Sequence, residues 1–255
     1  MKWAAWLLLL IFPLSGLVFA QDEMNDYQKA VKFFQEEQYN ESIEVLQRIL
    51  RSDPNQAPVY NLLGLIYLRQ GESVQSAIGS FEQAIRTDPN YAEAYFNLAS
   101  TYAGPGNQPE RAAENFKKTL EVDPNYIKAH FGLGWFTLTE KQDPIEAAKH
   151  FQKAIESFPD FAEAYYGLGL SYVQMGKAPM ALETVSQLRN MGREDLASYL
   201  ETAVRGEAVD GNFSGDTGTS PSQSDQGPAR EMTVAQGAGQ ALMNEDFSLL
   251  DSDRK

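Results

Sequence analysis

Large apolar, small and polar positions recur along this chain in a fixed rhythm. Leu63, Leu98, Leu133 and Leu168 stand at a constant interval of 35 residues (98−63, 133−98 and 168−133). The small residues Gly64, Ala99, Gly134 and Gly169 follow them directly. Tyr60, Tyr95, His130 and Tyr165 lie three residues before each leucine, and Tyr67, Tyr102, Thr137 and Tyr172 lie four after it. Apolar and small positions three or four apart share one face of a helix, so each run predicts an amphipathic helix. A second set predicts a second helix: Ala77, Ala112 and Ala147, then Phe81, Phe116 and Phe151, then Ala84, Thr119 and Ala154. Pro54, Pro89, Pro124 and Pro159 close the units, because proline cannot continue a helix and pushes the residue before it towards an extended conformation. Small residues recur where two backbones approach closely, and rings fill the space between helices. The pattern therefore predicts a stack of helix pairs.

The skeleton is visible in Y-N-L-L-G-L-I-Y (60 to 67) and A-I-G-S-F-E-Q-A-I-R-T-D-P (77 to 89). It recurs in Y-F-N-L-A-S-T-Y (95 to 102), H-F-G-L-G-W-F-T (130 to 137) and Y-Y-G-L-G-L-S-Y (165 to 172). This pattern resembles the tetratricopeptide repeat. The resemblance implies an all-α fold, a right-handed superhelical solenoid of antiparallel helix pairs. The family's usual unit has about 34 residues, so three units here hold one extra residue, most simply placed in the turn between their helices. The expected units span 26–54, 57–89, 92–124, 127–159 and 162–190. In the first, Ala30, Phe33, Tyr39, Ser42, Leu46 and Ile49 take the matching places, and in the last Ala181, Val185 and Leu188 do so.

The flanks read differently. Residues 1–20 combine Lys2, an apolar run, the helix breakers Pro13 and Gly16, and Val18 and Ala20 before Gln21. These are the three parts of a secretory signal, with cleavage expected after Ala20 and a retained anchor as the alternative. No cysteine occurs in the chain, which excludes a lipoprotein anchor, disulfides and thiol catalysis. Leu196, Tyr199, Leu200 and Ala203 fall at helical spacing before Gly206, as a terminal capping helix over 192–205 would require. Beyond it, 206–255 is rich in Gly, Ser, Asp, Gln and Thr and reads as a disordered acidic tail, because too little apolar surface is available to offset the entropy of ordering. Met243, Phe247 and Leu250 form a short apolar face within the segment 241–250.

Charge and candidate chemistry narrow the function. The net charge of −14 becomes −15 when Lys2 leaves with the leader (−14 − 1), which disfavours nucleic acid and anionic lipid as partners. His130 and His150 are the only histidines, and each is accounted for by its place in the repeat. There is no H-E-x-x-H and no cysteine partner, so no metal and no cofactor is expected. Gly132-Leu133-Gly134 and Gly167-Leu168-Gly169 lie inside helices rather than at the strand-to-helix turn that a phosphate loop needs. No catalytic constellation is found, and a non-enzymatic protein is expected.

What remains is a surface. In tetratricopeptide arrays the first helix of each pair lines a concave groove. Carried onto this chain, the resemblance implies a peptide-binding face of Asn61 and Leu65, Phe96 and Ser100, Phe131 and Trp135, and Tyr166 and Leu170. Glu93, Lys128 and Glu163 flank it. Phe96, Phe131 and Tyr166 fall one repeat apart and suggest a ladder of rings, the residue type that supplies large contact area at modest entropy cost. The lysine, asparagine and arginine set of a carboxylate clamp is missing apart from Asn61, Asn97 and Lys128. The expected function is a protein–protein interaction scaffold of the cell envelope, periplasmic or secreted, binding a protein or peptide segment. The alternative is a self-assembling protein whose C-terminal segment occupies its own groove or that of a neighbour. The leader predicts an exported chain whose intact mass begins at Gln21. A mass that retains residues 1–20, with the protein in the membrane fraction, would contradict it.

Overall fold

A computed structural model of the protein describes residues 25–71 and 73–206. The leader expected at 1–20 lies outside them, as does the tail beyond Gly206 with its 241–250 segment. Eleven α-helices and no strand occur among the described residues. They are α1 (Asp26–Gln35), α2 (Tyr39–Ser52), α3 (Ala57–Gln70), α4 (Val74–Thr87), α5 (Ala92–Ala103), α6 (Pro109–Val122), α7 (Ile127–Thr139), α8 (Pro144–Ser157), α9 (Ala162–Gln174), α10 (Ala178–Asn190) and α11 (Glu194–Arg205). No helix among them is long and apolar enough to cross a membrane. Each helix packs on its neighbours in the chain, and α3, α5, α7 and α9 also stack on one another. The result is the stack of helix pairs that the columns predict.

The joints between units follow from the prolines. Asp53, Asp88 and Asp123 end α2, α4 and α6 with extended backbone (φ −145, −136 and −130), as a residue before proline must. Each turns its carboxylate back to the N–H two residues on, in Asn55, Asn90 and Asn125, at 2.9, 2.9 and 3.1 Å. This Asx turn fixes the angle between units. The bond from Asn55 N–H, then one from Gln56, holds the Asp53 carboxyl below the usual range. Phe158 replaces the aspartate before Pro159 and packs on Phe161 instead, with ring centroids 6.2 Å apart.

Inside each unit the chain turns through a left-handed residue. Glu37, Gly71, Asn107, Gln142 and Gly176 have positive φ, one in each turn between paired helices. The turn closes by a backbone bond that locates the extra residue. Gln108 to Tyr102 and Asp143 to Thr137 span six positions (108−102, 143−137), whereas Gln38 to Phe33 and Lys177 to Tyr172 span five (38−33, 177−172).

Phe81, Phe116 and Phe151, fully buried on α4, α6 and α8, hold the stack together. A Cβ added to Gly134 would lie 2.7 Å from the Phe151 ring, and one added to Gly167 in the next unit only 2.4 Å from it. Phe116 meets Gly132 of the following unit in the same way, at 2.6 Å, and Phe81 meets Gly64 of its own at 2.5 Å. Each ring is thus a wedge that needs missing side chains around it. At the far end, Leu196, Ala197 and Leu200 of α11 are buried against α9 and α10, and Leu200 would stand 2.2 Å from a Cβ on Gly169. The α11 helix therefore takes the place that the first helix of a sixth unit would fill.

Gly167→Ala should destabilise the fold by roughly 1–3 kcal/mol, since the ring that it meets is locked from both sides. Gly79→Ala, on α4 with nothing within 4 Å of its added Cβ, should instead stabilise by about 0.5–1 kcal/mol. Urea titrations of the two variants are the check, and shifts of the same sign would contradict the wedge.

Candidate functional site

The groove-facing residues named above lie on α3, α5, α7 and α9, but they do not form an exposed ladder. Asn61, Phe131, Trp135 and Tyr166 are 3, 1, 2 and 4 % exposed. Leu65, Phe96, Ser100, Lys128 and Leu170 remain partly accessible. The expectation of open rings at Phe131, Trp135 and Tyr166 is therefore corrected.

The cause is a joint between units. A residue at one groove position meets the residue 30 positions later, which precedes the first helix of the next unit. Asn61 bonds Tyr91, Phe96 packs on Tyr126 at 5.1 Å, and Phe131 packs on Phe161 at 4.9 Å (91−61, 126−96 and 161−131 are each 30). Trp135 fills the space left among Phe131, Phe151 and Tyr166, with centroids 6.0, 5.6 and 6.3 Å away. Rings in such tilted and edge-on arrangements contribute beyond their buried area. They are core that happens to underlie the groove.

The two ends of the face differ in chemistry. Near α3 a polar network is closed on itself. Asn61 Nδ2 donates to Glu93 Oε1 at 3.0 Å and to Tyr91 Oη at 3.4 Å. Asn97 Nδ2 donates to Asn61 Oδ1 at 2.9 Å, and Tyr91 Oη donates to Glu93 Oε2 at 3.2 Å. Burial, then the Glu93 carboxylate, pushes the Tyr91 phenol well above its ordinary value, and the same two causes raise Tyr27. Asn61 is thus committed to the scaffold. Near α9, Glu163 is held by Arg193, which also grips Asp195 at 3.0 Å, so this flanking charge ties α11 to the last pair. Burial pushes Tyr166 up to about 12, with Tyr199 adding to it.

Two polar atoms on this face are buried without a partner: Ser100 Oγ and Trp135 Nε1. They occupy equivalent places on α5 and α7, 35 residues apart (135−100). Buried donors without partners are rare in native proteins, and here two share one face.

Comparison with known proteins decides the family. Profiles described as TPR repeat match residues 32–71 and 138–176, and profiles described as tetratricopeptide repeat match 57–91 and 80–114. The chain is a tetratricopeptide repeat protein. No curated protein matches it significantly. Among solved structures it is similar to MamA (22 % identity, 65 % of this chain and 95 % of that one, TM-score 0.57). It is also similar to YrrB (21 %, 69 % and 90 %, 0.58) and to PilW (20 %, 71 % and 91 %, 0.55). At these identities the likeness concerns the fold. As a tetratricopeptide repeat protein the chain is a scaffold for protein–protein contact.

Within this tetratricopeptide array two arrangements escape a reading by columns. The residues that meet Asn61, Phe96 and Phe131, namely Tyr91, Tyr126 and Phe161, lie before the helices rather than in them. Spacing of 35 aligns Tyr91 with Tyr126, and the signal for their role is the aromatic at that place in each unit. His130 and His150, each explained separately by its own column, stand side by side in the fold.

Phe131→Ala should cost roughly 3–5 kcal/mol, the range of a core phenylalanine such as Phe116. Leu170→Ala, at a partly accessible groove position, should cost distinctly less. Thermal melts of the three variants should group Phe131 with Phe116, and a small loss at Phe131 would show that its ring is not part of the joint.

Proposed function

We propose that this chain is a non-enzymatic, exported scaffold of the cell envelope that receives an extended peptide segment along the groove face of α3, α5, α7 and α9. The observation that supports this reading is the row of partly accessible side chains that the face presents, Leu65, Phe96, Ser100, Lys128 and Leu170. Stacked helices lie roughly 8–10 Å apart, so about three residues of an extended strand at some 3.3 Å each would pass from one unit to the next.

Apolar contact would come from Leu65, Phe96 and Leu170, which are partly exposed, and Lys128 adds a positive charge beside them. The buried rings of Phe131, Trp135 and Tyr166 then form a rigid wall beneath the peptide rather than pockets for it. A wall already packed costs little further ordering on binding. The assignment to the envelope rests on the leader-like residues 1–20. YrrB is a tetratricopeptide repeat protein with an unusual peptide-binding site, and PilW is a type IV pilus biogenesis factor. The description of YrrB is compatible with a peptide binder.

Photo-crosslinking in the native host tests the reading. A crosslinking amino acid at Phe96 or at Leu170 should capture the same protein, while one at the exposed Leu182 of α10 should not. Capture from Leu182 alone, or no shared adduct from the two groove positions, would overturn it.

A further inference from the structure

We propose that His130 and His150 form a two-histidine chelate for a borderline divalent transition-metal ion, for which Zn²⁺ is the test ion. The two rings come from α7 and α8 of one unit, with Nδ1 3.3 Å from Nδ1 and centroids 5.6 Å apart. Two imidazole nitrogens each bound to zinc at about 2.0–2.1 Å with tetrahedral angles lie about 3.3 Å from one another. The separation of the two nitrogens therefore matches that of a zinc-bound pair.

The outer nitrogen of His130 is held as a ligating histidine requires. His130 Nε2 lies 3.1 Å from the carbonyl oxygen of Pro124, which can only accept, so Nε2 bears the hydrogen and Nδ1 presents its lone pair. His150 Nε2 lies 3.9 Å from Glu146 Oε1, too far for a hydrogen bond, so Glu146 supplies negative charge beside the site rather than fixing the ring. With both Nε2 atoms protonated, the two Nδ1 lone pairs face each other. They repel unless something positive lies between them. In the metal-free chain one hydrogen serves: His150 takes the Nδ1–H tautomer and donates to His130. A metal ion replaces that hydrogen and lets His150 return its proton to the side of Glu146.

The surroundings suit neutral ligands. Burial first, and for His150 the neighbouring His130 next, pushes both imidazoles below their ordinary value, so both are in the ligating form at neutral pH. Lys117, Lys149 and Lys153 oppose a cation here, and Glu146 and Glu156 favour one. Lys149 and Lys153 are already paired with Glu146 and Glu156, at 2.8 and 2.7 Å. No group of three or more His, Cys, Asp or Glu side chains among the described residues could hold a metal, so the remaining positions fall to water or to a donor from a bound chain.

Neither histidine is demanded by the repeat. Tyr60, Tyr95 and Tyr165 occupy the column of His130, and Ser80 and Asn115 the column of His150. His130→Tyr and His150→Asn thus introduce residues that neighbouring units already accommodate. Calorimetric titration of the untagged chain with zinc chloride should show one ion bound per chain, and zinc should raise its melting temperature. Both effects should vanish in each variant, while the variants melt cooperatively without zinc. Zinc uptake that persists in both variants, or no uptake by the parent chain, would overturn the proposal. Uptake lost in only one of them would also overturn it, since a chelate needs both rings.

Discussion

The three middle units of this stack depend on a phenylalanine, Phe81, Phe116 or Phe151, wedged against small residues of the first helices. Phe151 shows the constraint most plainly, because it is fully buried and leaves no room for a Cβ at either Gly134 or Gly167. Interiors pack as densely as organic crystals, so such a ring transmits position from one unit to the next rather than merely filling space. The Asx turns at Asp53, Asp88 and Asp123 then fix the angle at which the next pair leaves. Where Phe158 replaces the aspartate, ring contact with Phe161 does the same work.

This way of joining units also shapes the functional face. A groove residue such as Phe96 or Phe131 cannot reach solvent freely, because the residue before the next first helix closes over it. Stability and the proposed recognition therefore draw on the same column. The floor becomes rigid, and Ser100 Oγ and Trp135 Nε1 are left buried in it without partners. At the α3 end the joint is polar, and the network of Asn61, Asn97, Tyr91 and Glu93 satisfies itself completely enough to leave Asn61 no role as a free donor.

Much of the fold was legible in the columns of leucine, small residue, phenylalanine and proline, because each reflects a contact within a unit or with its immediate neighbour. The extra residue was placeable for the same reason, and the longer closing bonds of Gln108 and Asp143 show it in the turn. Exposure of Phe131, Trp135 and Tyr166 was not legible. It is decided by what lies over a side chain: Phe161, which covers Phe131, sits outside the helical period that reveals faces, and Trp135 is covered by rings from three different helices. The pairing of His130 with His150 was hidden differently, since a spacing of 20 (150−130) crosses a turn whose length alone sets the register between the two helices. Site chemistry in a repeat protein is thus easiest to miss where two columns meet.

Phe116 of α6 and Phe151 of α8 couple one unit to the next through the missing side chains of Gly132 and Gly167. A double-mutant cycle between Phe151→Leu and Gly167→Ala, read by denaturant titration, tests this coupling directly. The account predicts that the smaller, flexible leucine relieves the clash, so that the cost of Gly167→Ala falls by about 1–2 kcal/mol in the Phe151→Leu background. Additive costs, within about 0.5 kcal/mol, would contradict it.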